Sequence, residues 1–315
     1  MFPTVLDMNR YDQLTRSSGS RFHMYYAPHL SNGIGLATAA HPLGPWIPFR
    51  NNPVLVRDRV PGAFDHISSP EIVYRRELGE LWMYFHGLSN PRSGAQNTYL
   101  ATSRDGVEWS PRIDGPVLFG DRDQTGEGAT TAYLRVFRRT HDPYFYGLYK
   151  CNKTHGLARS TDGIQWEHSP HNPILSPSRE DGEFDLIRHT AVIVRDDVLW
   201  ILYSTRTRSD LTREEIKLAS VSLGVGDSDW TTWGPLRRHG TLFSPELGWE
   251  AGDVRDPFVL THLGSHYLYY VGGHELGIGV AASRSRASAK FPCEVSRSAP
   301  DHLPISQAAT PKVTE

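Results

Sequence analysis

Tyr99-Leu100-Ala101-Thr102-Ser103-Arg104-Asp105-Gly106-Val107-Glu108-Trp109 returns 57 residues later as Gly156-Leu157-Ala158-Arg159-Ser160-Thr161-Asp162-Gly163-Ile164-Gln165-Trp166. Each copy is a strand of small and apolar residues running into Asp-Gly, a strong hairpin signal, with a Trp placed to pack back over the turn. The strand half recurs three more times, as Gly35-Leu36-Ala37-Thr38, Lys217-Leu218-Ala219-Ser220 and Gly279-Val280-Ala281-Ala282-Ser283. With Leu36, Leu100, Leu157, Leu218 and Val280 as marks, the repeat spacings are 64, 57, 61 and 62 residues.

Ahead of each mark lies an aromatic-rich strand: Phe22 to Tyr26, Leu81 to Phe85, Tyr144 to Tyr149, Leu199 to Tyr203 and Tyr267 to Val271. Ahead of four of these lies an apolar run, at Ser69 to Tyr74, Thr131 to Leu134, Thr190 to Val194 and Asp256 to Leu260. Strand-length, β-rich pieces bounded by turn residues read as one small antiparallel sheet per repeat. Five such sheets cannot bury their faces singly, and radial closure protects their edges. The sequence therefore predicts an all-β, five-bladed β-propeller around a central pocket. The propeller spans residues 1–297 as a single domain, with repeats at about 1–63, 64–126, 127–183, 184–248 and 249–297, followed by a polar tail over 298–315. A solenoid of the same units would need polar caps at its ends, and none is visible.

The totals exclude several classes. A net charge of −2 over 315 residues gives no footprint for nucleic acid or an anionic membrane. No apolar run is long enough to span a bilayer. The opening MFPTVLDMNRYDQ has no basic segment followed by an apolar core, and Cys151 and Cys293 fit no metal or redox spacing. The expectation is a reduced, cytoplasmic protein with a small-molecule partner.

In a propeller blade the innermost strand starts at the face to which the loop between the second and third strands returns. Side chains from both places converge on the axis. Aligning the apolar runs puts Ser69, Thr131, His189 and Asp256 at one axial position, preceded by Ser68, Thr130, Arg188 and Arg255. The returning loops add His86, Lys150, His155, Arg206, His274 and Glu275, and Asp253 lies just ahead of the last inner strand. A pocket of carboxylates, Arg, His and aromatic walls suits a polyhydroxylated or anionic small ligand.

Five repeats with Arg255-Asp256-Pro257 opening an inner strand resemble the five-bladed propeller glycoside hydrolases of families 43, 32 and 68, 117 and 130. The resemblance implies glycosidic bond cleavage by acid and base groups on the axis, with Asp256 matching a catalytic carboxylate. Those families place a Glu just ahead of an inner-strand Pro, where this chain has Ser68, Thr130 and Arg188. Members that use a His as proton donor are the nearer analogy, with His189 in that role.

Residue by residue, Asp256 is the first candidate, because only one repeat carries a carboxylate at the axial position. Glu71 is the second; its aligned neighbours Tyr133, Ala191 and Phe258 are not acidic, and a buried Glu is either an ion-pair partner or an acid with a raised pKa. Glu127, between Gly126 and Gly128 at a blade entrance, is a further acid candidate. Asp65, Asp185 and Glu250 each follow an aromatic residue, so they read as turn-forming devices. Asp7 starts the first repeat but fits the catalytic pattern poorly. No paired-His spacing points to a metal, and no cofactor is required; a Ca²⁺ in the central channel is the alternative arrangement. The functional expectation is a glycosidase acting on a small glycan or glycosylated metabolite. A phosphate-dependent phosphorylase, using Lys150, Arg188, Arg206, Arg208 and Arg255, and a non-catalytic sugar-binding propeller stay open beside it.

Overall fold

The computed structural model describes residues 1–15, 19–28, 30–120, 130–140, 142–224 and 229–283, and the backbone of 295–297. It contains five antiparallel sheets in chain order. The first blade comprises β1 (Thr4–Asp7), β2 (Phe22–Tyr26), β3 (Gly33–Ala39), β4 (Ile47–Pro48) and the short β5 (Leu55–Val56), which also pairs with β3. The second comprises β6 (Ile67–Arg75), β7 (Glu80–Asn90), β8 (Ala95–Ser103) and β9 (Ser110–Pro111). The third comprises β10 (Ala132–Arg138), β11 (Phe145–Cys151), β12 (Thr154–Ser160) and β13 (Glu167–His168). The fourth comprises β14 (Glu183–Arg195), β15 (Val198–Thr207), β16 (Glu214–Ser222) and β17 (Arg237–Phe243). The fifth comprises β18 (Val254–His262), β19 (Ser265–Gly272), β20 (Gly277–Ser283) and β21 (Val295–Arg297).

Why the aromatic strands carry almost no polar residues is clear from β7. Successive side chains point to opposite faces of a sheet, and here both faces are covered. Leu81, Met83 and Phe85 enter the core shared with the first blade, whereas Trp82 and Tyr84 enter the core shared with the third. Two further cores lie between the third and fourth blades and between the fourth and fifth. The fifth core joins the ends of the chain's path: Val5, Phe22, Met24 and Ala37 pack against Leu260, Tyr269 and Val280. The inner strands contact one another in the closed order β1, β6, β10, β14, β18 and back to β1. The fold is thus the expected five-bladed propeller, and the solenoid alternative is set aside by that fifth core.

The two Asp-Gly turns do more than close their own blades. Asp105 Oδ1 accepts hydrogen bonds from the amides of Val107 and Glu108, each at 2.8 Å, and Asp162 Oδ1 does the same for Ile164 and Gln165 at 2.7 and 2.8 Å. Each turn is then gripped by the preceding blade: Tyr25 Oη donates to Gly106 O at 2.6 Å, and Tyr84 Oη donates to Gly163 O at 2.9 Å. Trp109 stands edge-on to Tyr25, with ring centroids 5.6 Å apart, and Trp166 to Tyr84 at 5.9 Å. The repeated motif is therefore an interblade clamp as well as a hairpin.

Candidate active site

Strand pairing fixes which residues are equivalent from blade to blade. Tyr84 pairs with both Glu71 and Leu100, Leu148 with Arg135 and Leu157, Leu202 with Ala191 and Leu218, and Tyr269 with Phe258 and Val280. Two residues ahead of each inner-strand member, the ladder of blades two to five breaks in a bulge. The equivalent axial residues are therefore Ser69, Tyr133, His189 and Asp256. This corrects the third blade of the sequence alignment, where Thr131 stood in place of Tyr133. Thr131 lies two residues further back, its hydroxyl hydrogen-bonded to Leu118 O at 2.7 Å. The apolar run of the third blade begins two residues ahead of the register that strand pairing sets, so alignment on apolar runs slipped there.

Ser69, Tyr133 and Asp256 hold φ values of 49°, 58° and 52°. Left-handed backbone at non-glycine residues is costly and recurs at functional sites. Here the bulge turns the axial side chains toward one another. The Phe2, Tyr133 and His189 rings meet, with centroid separations of 4.9 Å for Phe2 to Tyr133, 4.7 Å for Phe2 to His189 and 4.2 Å for Tyr133 to His189. His86 packs on Tyr133 at 4.4 Å and bonds to the Ser69 hydroxyl through Nδ1.

Asp256 is wholly shielded from solvent. His189 Nδ1 makes close contact with its Oδ1, and the Met1 nitrogen lies 3.5 Å from its Oδ2 and 3.4 Å from Glu275 Oε2. Burial raises the Asp256 carboxyl above its usual range, against the opposing charge of Arg255. Burial, with Lys150, Arg255 and Arg188 nearby, pushes His189 well below the usual imidazole range. Both shifts favour neutral forms, as expected where water is excluded.

A second carboxyl stands on the next blade. Glu214 opens β16, and its amide donates to Gly252 O at 3.0 Å, joining it to the turn that leads into β18. Its side chain is buried, with Arg188 Nε 2.9 Å from Oε2. Burial raises its pKa from 4.5 to about 7, with Arg188 opposing and with Asp253 and Asp256 close enough to add to the rise. Sequence reading missed this residue. Counting back four from each repeat mark gives Asn32, Gln96, Lys153, Glu214 and Leu276, so one carboxylate breaks the pattern just as at Asp256.

Asp253, a sequence candidate for the site, is buried. His274 Nδ1 lies 3.1 Å and Arg255 Nε 3.7 Å from its Oδ2, and burial raises its pKa. Arg255 also reaches Glu275 Oε1 at 3.2 Å. Lys150 lies over the Tyr133 ring at 5.3 Å, and burial lowers its pKa to about 8. His155 is fully buried behind it, as its pairing partner across β11 and β12. Arg206 pairs with Glu214 across β15 and β16, and its side chain is exposed.

The other sequence candidates sort differently. Glu71 faces the third blade: Arg135 Nη1 donates to its Oε2 at 2.8 Å and the Val136 amide to its Oε1 at 3.2 Å, and both side chains of the pair are buried. This is the interblade ion pair of the two readings, although burial still raises the Glu71 carboxyl. Glu127 lies outside the described residues. Asp7 caps the short turn after β1 and takes hydrogen bonds from Arg21 at 3.1 and 3.2 Å. Glu250 accepts hydrogen bonds from the amides of Glu246 and Leu247 and from Tyr270 Oη, as a turn-building residue would. Among the described residues no group of three or more His, Cys, Asp or Glu side chains is arranged to hold a metal ion, and no helix is long and apolar enough to cross a membrane.

The fold defines the class: a five-bladed propeller with the architecture of the glycoside hydrolases that share it. Compared with solved structures, the chain superposes on a thermostable family 43 glycoside hydrolase with a TM-score of 0.64, at 14% identity over 96% of this chain and 93% of that one. A glycosyl hydrolase from Bacteroides ovatus gives 0.64, at 17% identity over 85% and 82%. A family 130 structure, from work on hydrolases that target β-1,2 mannosidic linkages in Candida mannan, gives 0.61 at 16% identity over 86% and 83%. An uncharacterised protein of Acanthamoeba polyphaga mimivirus is 26% identical across 89% of this chain and 82% of its own length. No family model matches.

Proposed function

We propose that this propeller is a glycoside-cleaving enzyme acting on a small glycan or glycosylated metabolite. Glu214 is its proton donor and Asp256 its base or nucleophile. The observation that carries this reading is the Glu214 carboxyl, buried beside Arg188 with its pKa raised to about 7 on the blade next to Asp256. A carboxyl that keeps its proton near neutrality can protonate a leaving glycosidic oxygen, while the second carboxyl serves the anomeric carbon. His189 positions Asp256 through the contact at Nδ1, and Arg188 positions Glu214. Arg255, Glu275, Asp253 and His274 supply donors and acceptors for hydroxyl groups.

The test is turnover of a broad panel of aryl glycosides and oligosaccharides by the wild type, Glu214→Gln and Asp256→Asn. Each substitution should lower kcat by about 10²- to 10⁴-fold with folding intact, the range of a lost acid or base. Full turnover by either variant removes that residue from the mechanism. The cations Lys150, Arg188 and Arg255 favour one second reading, in which phosphate replaces water as nucleophile. That reading requires sugar phosphate as product, formed only when phosphate is supplied.

A further inference from the structure

Of the cations that stand buried or half-buried at the axis, Arg188 and Arg255 have carboxylate partners among the described residues and Lys150 does not. Arg188 meets Glu214, Arg255 meets Glu275 and Asp253, His274 meets Asp253, and His189 meets Asp256. Lys150 has no carboxylate within ion-pair distance among the described residues; its contact is the face of Tyr133. Directly across the strand pair from it, His155 is fully buried with neither ring nitrogen hydrogen-bonded. The equivalent pairs in other blades are His86 with Thr98, Ser204 with Ile216 and Val271 with Ile278. The third blade alone among these four places a Lys and a His there. An apolar residue such as the Ile of blades four and five would fill the His155 position at no polar cost, so packing does not account for a basic pair.

Given the glycoside reading above, on which it rests, we infer that the pocket takes an acidic sugar, whose carboxylate sits against Lys150 with Arg188 alongside. A half-buried ammonium without a carboxylate in contact gains from a ligand that brings a countercharge against it. The lowered Lys150 pKa agrees in direction: burial and the charge of Arg188 lower it, and the carboxylates of Asp256 and Glu214, beyond ion-pair distance, only partly oppose them. Phosphate would offer the same chemistry, and the experiment separates the two.

Calorimetry on the full chain would compare glucuronate with glucose and galacturonate with galactose, with inorganic phosphate as a third probe. At least one uronate should bind about tenfold or more tightly than its neutral twin. Lys150→Met should bring the two within about twofold of each other with affinity for the neutral sugar unchanged, which shows that the variant is folded, and Lys150→Arg should retain the preference. The inference is overturned if neither uronate outbinds its neutral twin, or if the preference survives Lys150→Met. Binding of phosphate without preference for a uronate also overturns it, assigning the cation to phosphate. A Lys150-dependent uronate preference without glycoside cleavage would sink the enzymatic reading and leave this one standing.

Discussion

At the scale of single residues, Glu214 shows how position changes a carboxyl. Its folded pKa of about 7 lies above its ordinary 4.5, so the folded state binds the proton more tightly than the unfolded state does. The stability this proton provides is complete below about pH 4.5 and is lost as pH rises through about 7. Glu214→Gln carries no titrating group. The drop in unfolding free energy between pH 5 and pH 8, measured by chemical denaturation, should therefore be smaller in the variant by on the order of 2 kcal/mol. An equal drop in both proteins would show that Glu214 is ionised throughout, and its role as proton donor would go with it. The same proton predicts that kcat/KM falls on the alkaline side of pH 7. Asp256 was legible in the sequence because an acid stood alone at an aligned position. Glu214 was equally visible by that criterion, standing alone as an acid where the returning loop enters the third strand, four residues before the repeat mark. The Glu71–Arg135 pair was not resolvable from sequence, since the partner comes from a blade 64 residues away.

At the scale of elements, the Asp-Gly turn was readable as a turn but not as a clamp. Which tyrosine grips it depends on how neighbouring blades meet, and no local pattern encodes that. Gly163 sits at φ 81°, and a Cβ there would stand 2.6 Å from Tyr84 Oη. Gly163→Ala thus combines left-handed strain with a clash against the residue that holds the turn. Gly182 offers the comparison, with φ 69° and nothing within 4 Å of a Cβ. Thermal unfolding should show Gly163→Ala losing about 2 kcal/mol or more, and Gly182→Ala about 1 kcal/mol. Equal losses would mean that backbone strain alone matters and that the clamp contributes little. The bulges mark the limit of element-level reading. Only strand pairing fixes the register across them, and in the third blade the apolar residues from Thr131 to Leu134 start two residues ahead of that register, so Tyr133 was misplaced by two positions.

At the scale of the whole molecule, five repeats are compatible with a ring or with an open stack, and the difference is one interface. In an open stack the first and last units would each expose a face, and they would fray before the middle. In this ring β1 and β18 are neighbours, and Phe22, 1% exposed, lies in the core that closes the circle. Phe22→Ala should cost about 3–5 kcal/mol, as for other buried aromatic truncations, even though the residue comes from the outermost repeat of the sequence. The closing core also ties the blades into one cooperative unit, so the loss should be felt everywhere at once. Trp82 and Trp230 report from cores on the far side of the ring, between blades two and three and between blades three and four. Tryptophan fluorescence and far-ultraviolet circular dichroism should therefore show the variant unfolding in one coincident transition, shifted down from the wild type. Early loss of part of the strand signal, with those tryptophans still in their native environment, would mean that the terminal blades melt alone and that ring closure does not govern stability.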